Sequence, residues 1–245
     1  MLAGGDLRLG ALVSSAPGVW MAPSFADAGL VHGFGDRSLT VEAVVERCGA
    51  RAAAVIRLEQ AHGSAIAEIA HAPRADGETL AGYDGAITDT PGVALTIHTA
   101  DCAPVGFYDP AHRAIGVAHV GWRGLQAALP RRIVETMRAR WTTRAADVRV
   151  VIGPAIGACC YEVGPEFTPR FPAWARWRDG RLVLDLRAGI LAQLRAAGVR
   201  AEQVTDSGVC TACHVGRFYS YRREGAAAGR CHFALALAAS PPGGA

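Results

Sequence analysis

Val93-Ala-Leu-Thr-Ile-His98, Thr99-Ala-Asp-Cys102, Pro104-Val-Gly-Phe-Tyr108, Ala114-Ile-Gly-Val-Ala118 and His119-Val-Gly-Trp-Arg-Gly124 follow one another between residues 93 and 124. The apolar runs 93–98, 104–108 and 114–118 are each closed by polar residues or glycine, and read as strands. The segment that follows, Leu125 to Trp141, reads as a helix. Its Leu129, Ile133 and Met137 recur every four residues, while Arg131, Arg132 and Glu135 face elsewhere. Strands feeding directly into an amphipathic helix require a mixed layered fold, α/β or α+β.

Outward from this stretch the same signals recur. Val19 to Phe25, Leu30 to Phe34, Ala54 to Leu58 and Val148 to Ile152 are further strand candidates. Leu39 to Cys48 reads as a helix with Thr40 as N-cap, and Asp185 to Ala197 as a third, with the stripe Leu186, Ile190, Leu194 and a terminating Gly198. No Gly/Ser- or Pro-rich linker divides the chain and no repeat is present, so one domain over residues 1–245 is expected. The order is too irregular for a Rossmann domain, and no G-x-G-x-x-G loop occurs. The tail Ser240-Pro-Pro-Gly-Gly-Ala245 is expected to fray.

Composition narrows the function classes. The chain has 245 residues, 51% hydrophobic and 19% charged, with a net charge of +3. That length buries a substantial core and argues against disorder. Arginine is scattered, with no basic tail or aromatic-interleaved stripe, so nucleic acid is not an expected partner. The N-terminus, Met1-Leu-Ala-Gly-Gly-Asp-Leu-Arg8, lacks the basic region of a signal peptide, and Phe233 to Ala239 is far too short to span a membrane. Seven cysteines lie in short motifs, not in a disulfide framework. A cytoplasmic location follows as the expectation.

Cys102 and His119 stand just past strand-like runs, and His62 sits upstream in Gln60-Ala-His62-Gly63. One thiolate and two imidazoles suit a zinc site with an open fourth position. The spacing is far wider than a zinc finger's and fits an enzyme site gathered from strand ends. Gly63 and Gly121 would let backbone approach closely, and Asp101 is a candidate to orient a ligand. His98 shares a face with Asp101 or with Cys102, depending on where its strand breaks. His71 and His112 read as solvated loop residues. Arg123 opens a helix after His119, and Ser220-Tyr-Arg-Arg223 follows an aromatic strand, Phe218-Tyr219; both suit an anion. The competing reading pairs Arg222 and Arg223 with Glu224. Trp122 and Phe218 are candidates to stack on a flat ring.

Other motifs point elsewhere. Cys210-Thr-Ala-Cys213-His214 matches a haem-attachment pattern, but a redox pair, and more simply a structural turn, fit a chain without an export signal better. Cys159-Cys160 cannot easily bridge one another, and one of them is a candidate to line the site. Cys102 with His119 as base would suffice for a cysteine hydrolase or amidase.

Taken together, the motifs resemble those of the laccase-domain family, also called multicopper polyphenol oxidase-like or peptidoglycan editing factor. They are Gln60-Ala-His-Gly63, Asp84-Gly85, Thr88-Asp89 with Pro91-Gly92, Thr99 to Val105, His119 to Gly124, Gly153-Pro-Ala-Ile-Gly157 with Cys160-Tyr-Glu-Val-Gly164, Asp185-Leu186, Cys210-Thr211 and Phe218 to Arg223. The family is regarded as zinc-dependent purine nucleoside phosphorylases with adenosine deaminase activity. The resemblance implies an α+β fold, a single α/β/β/α layered domain with mixed sheets, and metal ligands at His62, Cys102 and His119. It implies purine nucleosides and phosphate as partners, adenosine and inosine first, with guanosine and methylthioadenosine as further substrates. For such a reaction the residues themselves make Asp101, Arg123 and His98 the candidates for catalysis, and Arg123, Arg222, Arg223 and Gln60 those for substrate or phosphate. A monomer or weak homodimer is expected, with no membrane partner. Two departures stand out: His98 replaces a usual aliphatic residue, and Cys231-His232 follows Gly229-Arg230. Eight histidines without a His-x-His pair are too few for a multicopper cluster. Copper in the zinc site would give weak phenol oxidation. The runner-up is a cysteine-dependent hydrolase or amidase acting on cell-wall peptide; a non-enzymatic metal- or partner-binding module stands last.

Overall fold

The computed structural model describes residues 8–25, 30–50, 54–71 and 77–237. The tail at 240–245, expected to fray, and most of the N-terminal segment lie outside the described residues.

In chain order the strands are β1 (Arg8–Leu9), β2 (Leu12–Ala16), β3 (Val19–Met21), β4 (Leu30–Gly35), β5 (Ala54–Glu59), β6 (Ile66–Ile69), β7 (Glu78–Ala81) and β8 (Gly85–Thr88). They continue as β9 (Val93–Thr99), β10 (Ala103–Asp109), β11 (Ala114–Val120), β12 (Arg149–Ile152), β13 (Ala175–Arg178), β14 (Arg181–Leu184), β15 (Val204–Asp206) and β16 (Cys231–Leu237). The helices are α1 (Val41–Arg47), α2 (Trp122–Gln126), α3 (Leu129–Trp141), α4 (Phe167–Arg170), α5 (Leu186–Ala196) and α6 (Tyr221–Glu224). One sheet has the order β1-β2-β3-β4-β16-β9-β5-β7, the second β15-β12-β10-β11-β8-β6, and β13-β14 form a hairpin. Both large sheets are mixed: β5 runs parallel to β9, and β12 to β15, among otherwise largely antiparallel neighbours.

The side-chain alternation of the strands sets the layers. In β10 and β11 every residue is buried, so both faces are covered. Val105, Phe107, Ala118 and Val120 pack with Leu129, Ile133 and Met137 of α3 and with Leu186, Ile190 and Leu194 of α5. On the other face, Tyr108, Ile115, Val117 and Val151 pack with Leu95, Ile97, Phe34 and Phe233 of the eight-stranded sheet. The far face of that sheet, at Val19, Ala94, Ala234 and Ala236, is covered by Val44 and Val45 of α1. The result is an α/β/β/α stack in an α+β fold, as expected. The two sheets approach closely at Gly106, where a Cβ would lie 2.8 Å from the ring of Phe233. Phe233, 1% exposed and stacked on Phe34 at 4.4 Å, contributes about 1.5–3 kcal/mol by burial alone.

Several elements differ from the sequence reading. The expected helix from Leu125 is two helices. Ala128 adopts a left-handed φ of 57°, and Pro130, which has no N–H to donate, starts α3 in its first turn. Arg123 therefore lies in the separate five-residue α2. The Val19–Phe25 strand stops at Met21, and Pro23–Phe25 is a 3-10 turn. Phe218-Tyr219 is not a strand; it precedes the short α6. Thr40 caps α1 as read, accepting the Ala43 N–H at 3.3 Å, whereas Asp185, read as the first residue of its helix, is the N-cap of α5 and accepts the Ala188 N–H at 2.9 Å.

Strand direction brings the site together. Parallel β5 and β9 end on the same side, so the His62 loop and the Ala100–Cys102 loop emerge side by side. The second loop crosses from one sheet to the other and starts β10. Antiparallel pairing of Pro104 with His119 returns the end of β11 to that point.

Candidate metal and substrate site

Ligand atoms of His62, Cys102 and His119 lie within 4.8 Å of one another. His119 is the penultimate residue of β11, not beyond the strand end, and is 3% exposed. Its Nδ1 meets the Asp84 carboxylate at 2.8 Å, which leaves Nε2 for the Cys102 side. The imidazoles of His62 and His119 stand edge to face with centroids 4.9 Å apart. Gly121 is required here, because a Cβ would sit 2.9 Å from Cys102 Sγ and 3.7 Å from the His62 ring. Borderline-soft S and N donors converging from two loops and the end of β11, with a carboxylate behind one imidazole, fit a transition-metal ion of the zinc type.

Asp84, quoted from sequence only within the Asp84-Gly85 motif, is given no role there. It is fully buried, and both oxygens are used. Oδ1 accepts the His62 N–H at 3.1 Å and meets the His119 ring; Oδ2 accepts the N–H groups of Ala61 at 3.1 Å and Gly63 at 2.6 Å. The loop wraps around this carboxylate with His62 at a left-handed φ of 59°. Asp101, the sequence candidate for orienting a ligand, sits elsewhere in the network. At φ 89°, it accepts the Thr211 hydroxyl at 2.6 Å and the Arg222 N–H at 2.7 Å, and so positions those loops.

The charges of the triad are coupled. Burial works against the Cys102 thiolate, but the charge of His119 and hydrogen bonds from both histidines outweigh it and hold the thiol at about 6. Burial likewise works against the His119 imidazolium, but the Cys102 charge and the Asp84 hydrogen bond raise it to about 9. In the metal-free chain, alkylation of Cys102 by iodoacetamide, followed by peptide mass spectrometry, should rise through a midpoint near pH 6. His119→Ala should move that midpoint upward, since only His62 then opposes the effect of burial. A midpoint near 9 in both proteins would exclude the pairing.

The triad opens into a cavity of ≈ 560 Å³. Its walls carry Gln60, His98, Asp101, Arg123 and Arg222 of the expected site residues. Arg223 is not among them; its Nε donates to Ala212 O at 3.0 Å and its Nη2 faces Cys160 Sγ at 3.7 Å. Glu224 pairs with Arg37 at 2.7 Å, not with Arg222 or Arg223. Gln60 exchanges two hydrogen bonds with the backbone of His98, at 2.7 and 2.9 Å, and so ties the ends of β5 and β9. Burial and the neighbouring cations, His119 first, lower His98 to about 4, so it is neutral at neutral pH. The Arg123 guanidinium lies 4.5 Å over the Trp122 ring and makes no hydrogen bond among the described residues. Arg170 lies 5.3 Å over the same ring, so Trp122 is committed to cations and Phe218, 1% exposed, to the core. Tyr161, the 58% exposed Tyr221, and Arg230 complete the cavity and were not singled out from sequence.

A cavity floored by a cysteine and two imidazoles and rimmed by arginines defines a candidate metalloenzyme site. The chain belongs to the family described as multi-copper polyphenol oxidoreductase laccase, whose model matches residues 11–238. It is 36% identical over 186 residues to the purine nucleoside phosphorylase YlmD of Geobacillus stearothermophilus, covering 70% of this chain and 68% of that protein. The crystal structure of that YlmD superposes with a TM-score of 0.82 at 28% identity, covering 94% of this chain and all of the other. The purine nucleoside phosphorylase LACC1 of Mus musculus is 34% identical over 58% of this chain, which spans about a third of that relative (35%). The adenosine deaminase RL5, from an unknown prokaryotic organism, is 34% identical over 62% of this chain and 61% of its own length. Among the described residues the close groups of three or more ligand side chains are this triad and a set of four cysteines, and neither supplies a trinuclear histidine cluster.

Proposed function

We propose that the chain is a zinc-dependent purine nucleoside phosphorylase that also deaminates adenosine. The observation that carries this reading is the joint placement of the Cys/His2 triad and an unpaired, cavity-facing Arg123 on one cavity. The names of the relatives support it from two sides, phosphorolysis and deamination.

His62, Cys102 and His119 would hold a zinc ion, which would supply Lewis acidity to the cavity. The chain's own groups do the rest. Arg123 holds the phosphate that attacks the anomeric carbon, and its guanidinium fork leaves one oxygen free to attack. Arg222, whose Nη1 is braced on Glu162 O at 2.7 Å, adds a second charge from the opposite loop. Tyr221 offers a flat surface to the purine. His98, uncharged at neutral pH, is placed to take up or return a proton at the base, while Asp101 and Gln60 fix the loops around it.

Chromatography of adenosine and inosine incubated with the protein, with and without inorganic phosphate, tests both activities. Ribose 1-phosphate and free base should appear only with phosphate, and inosine should form from adenosine without it. Base release independent of phosphate would remove the phosphorylase half. A second reading rests on the Cys102–His119–Asp84 chain, which has the geometry of a cysteine hydrolase. Hydrolysis of amides that survives exhaustive chelation but is abolished by alkylation would favour it.

A further inference from the structure

The sulfurs of Cys159, Cys160, Cys210 and Cys213 lie within 4.8 Å of one another, away from the triad. Cys213 Sγ is 3.7 Å from that of Cys159 and 3.5 Å from that of Cys160. Four sulfurs around one zinc at about 2.3 Å form a tetrahedron with edges of about 3.8 Å. A disulfide needs about 2.05 Å, and these cysteines are free thiols. We infer that they form a second metal site, a four-thiolate zinc centre that is structural, not catalytic.

The backbone is shaped for it. A turn at residues 157–160, closed by the Cys160 N–H on Gly157 O at 2.9 Å, presents two adjacent thiols. A 3-10 turn, Thr211–Cys213, closed by the Cys213 N–H on Cys210 O at 3.2 Å, presents the other two at the C-x-x-C spacing of zinc ligands. The Gly157 N–H donates to Cys210 Sγ at 3.2 Å, and the Arg223 guanidinium faces Cys160 Sγ at 3.7 Å. Both favour thiolate charge, and this gives Arg223 a place outside the cavity. Mutual distances all under 4.8 Å fit one ion, whereas a polynuclear iron–sulfur cluster spreads its cysteines over several metal atoms. On binding, each thiol releases its proton to solvent and contributes a lone pair to zinc, with no change of oxidation state. Ile156 and Tyr161 flank the first turn and line the cavity, so the centre fixes that wall to the loop before α6.

Metal analysis of the full chain, purified under reducing conditions, decides. Zinc should be about two per chain in the parent, one in His62→Ala, one in Cys213→Ser and none in the double variant. Cys213 and His62 are exposed, so both single variants should keep the parent circular dichroism. Independently of folding changes in Cys213→Ser, cobalt-loaded His62→Ala should show the intense visible bands of tetrahedral four-thiolate cobalt. The inference is overturned if the parent holds one zinc that His62→Ala removes, or if Cys213→Ser keeps the full parent content. Iron in place of zinc, or disulfides found among the four residues by peptide mapping, would also overturn it.

Discussion

Asp84→Ala is expected to lower stability by about 3–5 kcal/mol, the scale of breaking a buried charged pair. For a chain of this size that is a melting temperature lower by roughly 6–20 °C. Metal affinity should fall by about 10–100-fold, as when a carboxylate behind a ligating histidine is lost. The reason is geometric. One fully buried carboxylate accepts the His119 ring and three successive backbone N–H groups of the His62 loop. Without it the loop loses its template and His62 its reason to hold a left-handed backbone. Asp84→Asn keeps the shape but presents an NH2 to groups that themselves donate, so it should fall between parent and alanine. Acid should act in the same direction. Burial alone would raise the Asp84 carboxyl, but the hydrogen bonds from His119 and Gly63 and the nearby histidine charges hold it below 3.8. A depressed carboxyl contributes stability that is present in full above 3.8 and lost as pH falls through the folded value. Thermal melts and competitive chelator titrations of the three proteins measure both effects. An alanine variant that melts within a few degrees of the parent and keeps its metal would refute this role.

The cluster of His62, Cys102 and His119, which could hold a metal ion, was legible because each combines a chemistry-bearing side chain with a strand end, and strand ends are where such sites gather. Asp84 was not, although it immediately precedes β8. A lone acid before an apolar run looks like any turn residue until the pairing of Gly85 with Ala118 places it opposite His119. The helix stripes at Leu129–Met137 and Leu186–Leu194 were legible from period alone. The break at Ala128 was hidden, because alanine carries no signal for a left-handed backbone and Pro130 is equally at home inside a first turn. Arg222 and Arg223 were indistinguishable by sequence. The turn of α6 sends one to the cavity and the other to the cysteines. The four cysteines were read as separate pairs because their proximity depends on the isolated bridge between Ala155 and Cys210, a contact between distant segments.

Arg123→Gln should keep zinc and melt within a few degrees of the parent, yet lose roughly tenfold or more in kcat/KM for phosphate. Removing a charged donor from an anion costs about 1.5–3 kcal/mol, which sets that scale. Retained stability follows from the surroundings. The side chain is exposed, rests on Trp122, and has no hydrogen bond to Glu162, Asp101 or any other described residue. A guanidinium tying the fold together would be at least half-buried and paired, as Arg187 is with Asp206. Arg123→Lys retains charge but not the planar fork, so it should recover part of the phosphate response. Arg222→Gln differs in kind: its side chain braces Glu162 O and lies against Tyr161, so its loss should also disturb the cavity wall. A thermal melt paired with a phosphate titration on the three variants separates anion binding from architecture. Unfolding of Arg123→Gln at room temperature, or an unchanged phosphate response in a folded variant, would count decisively against an anion-holding Arg123.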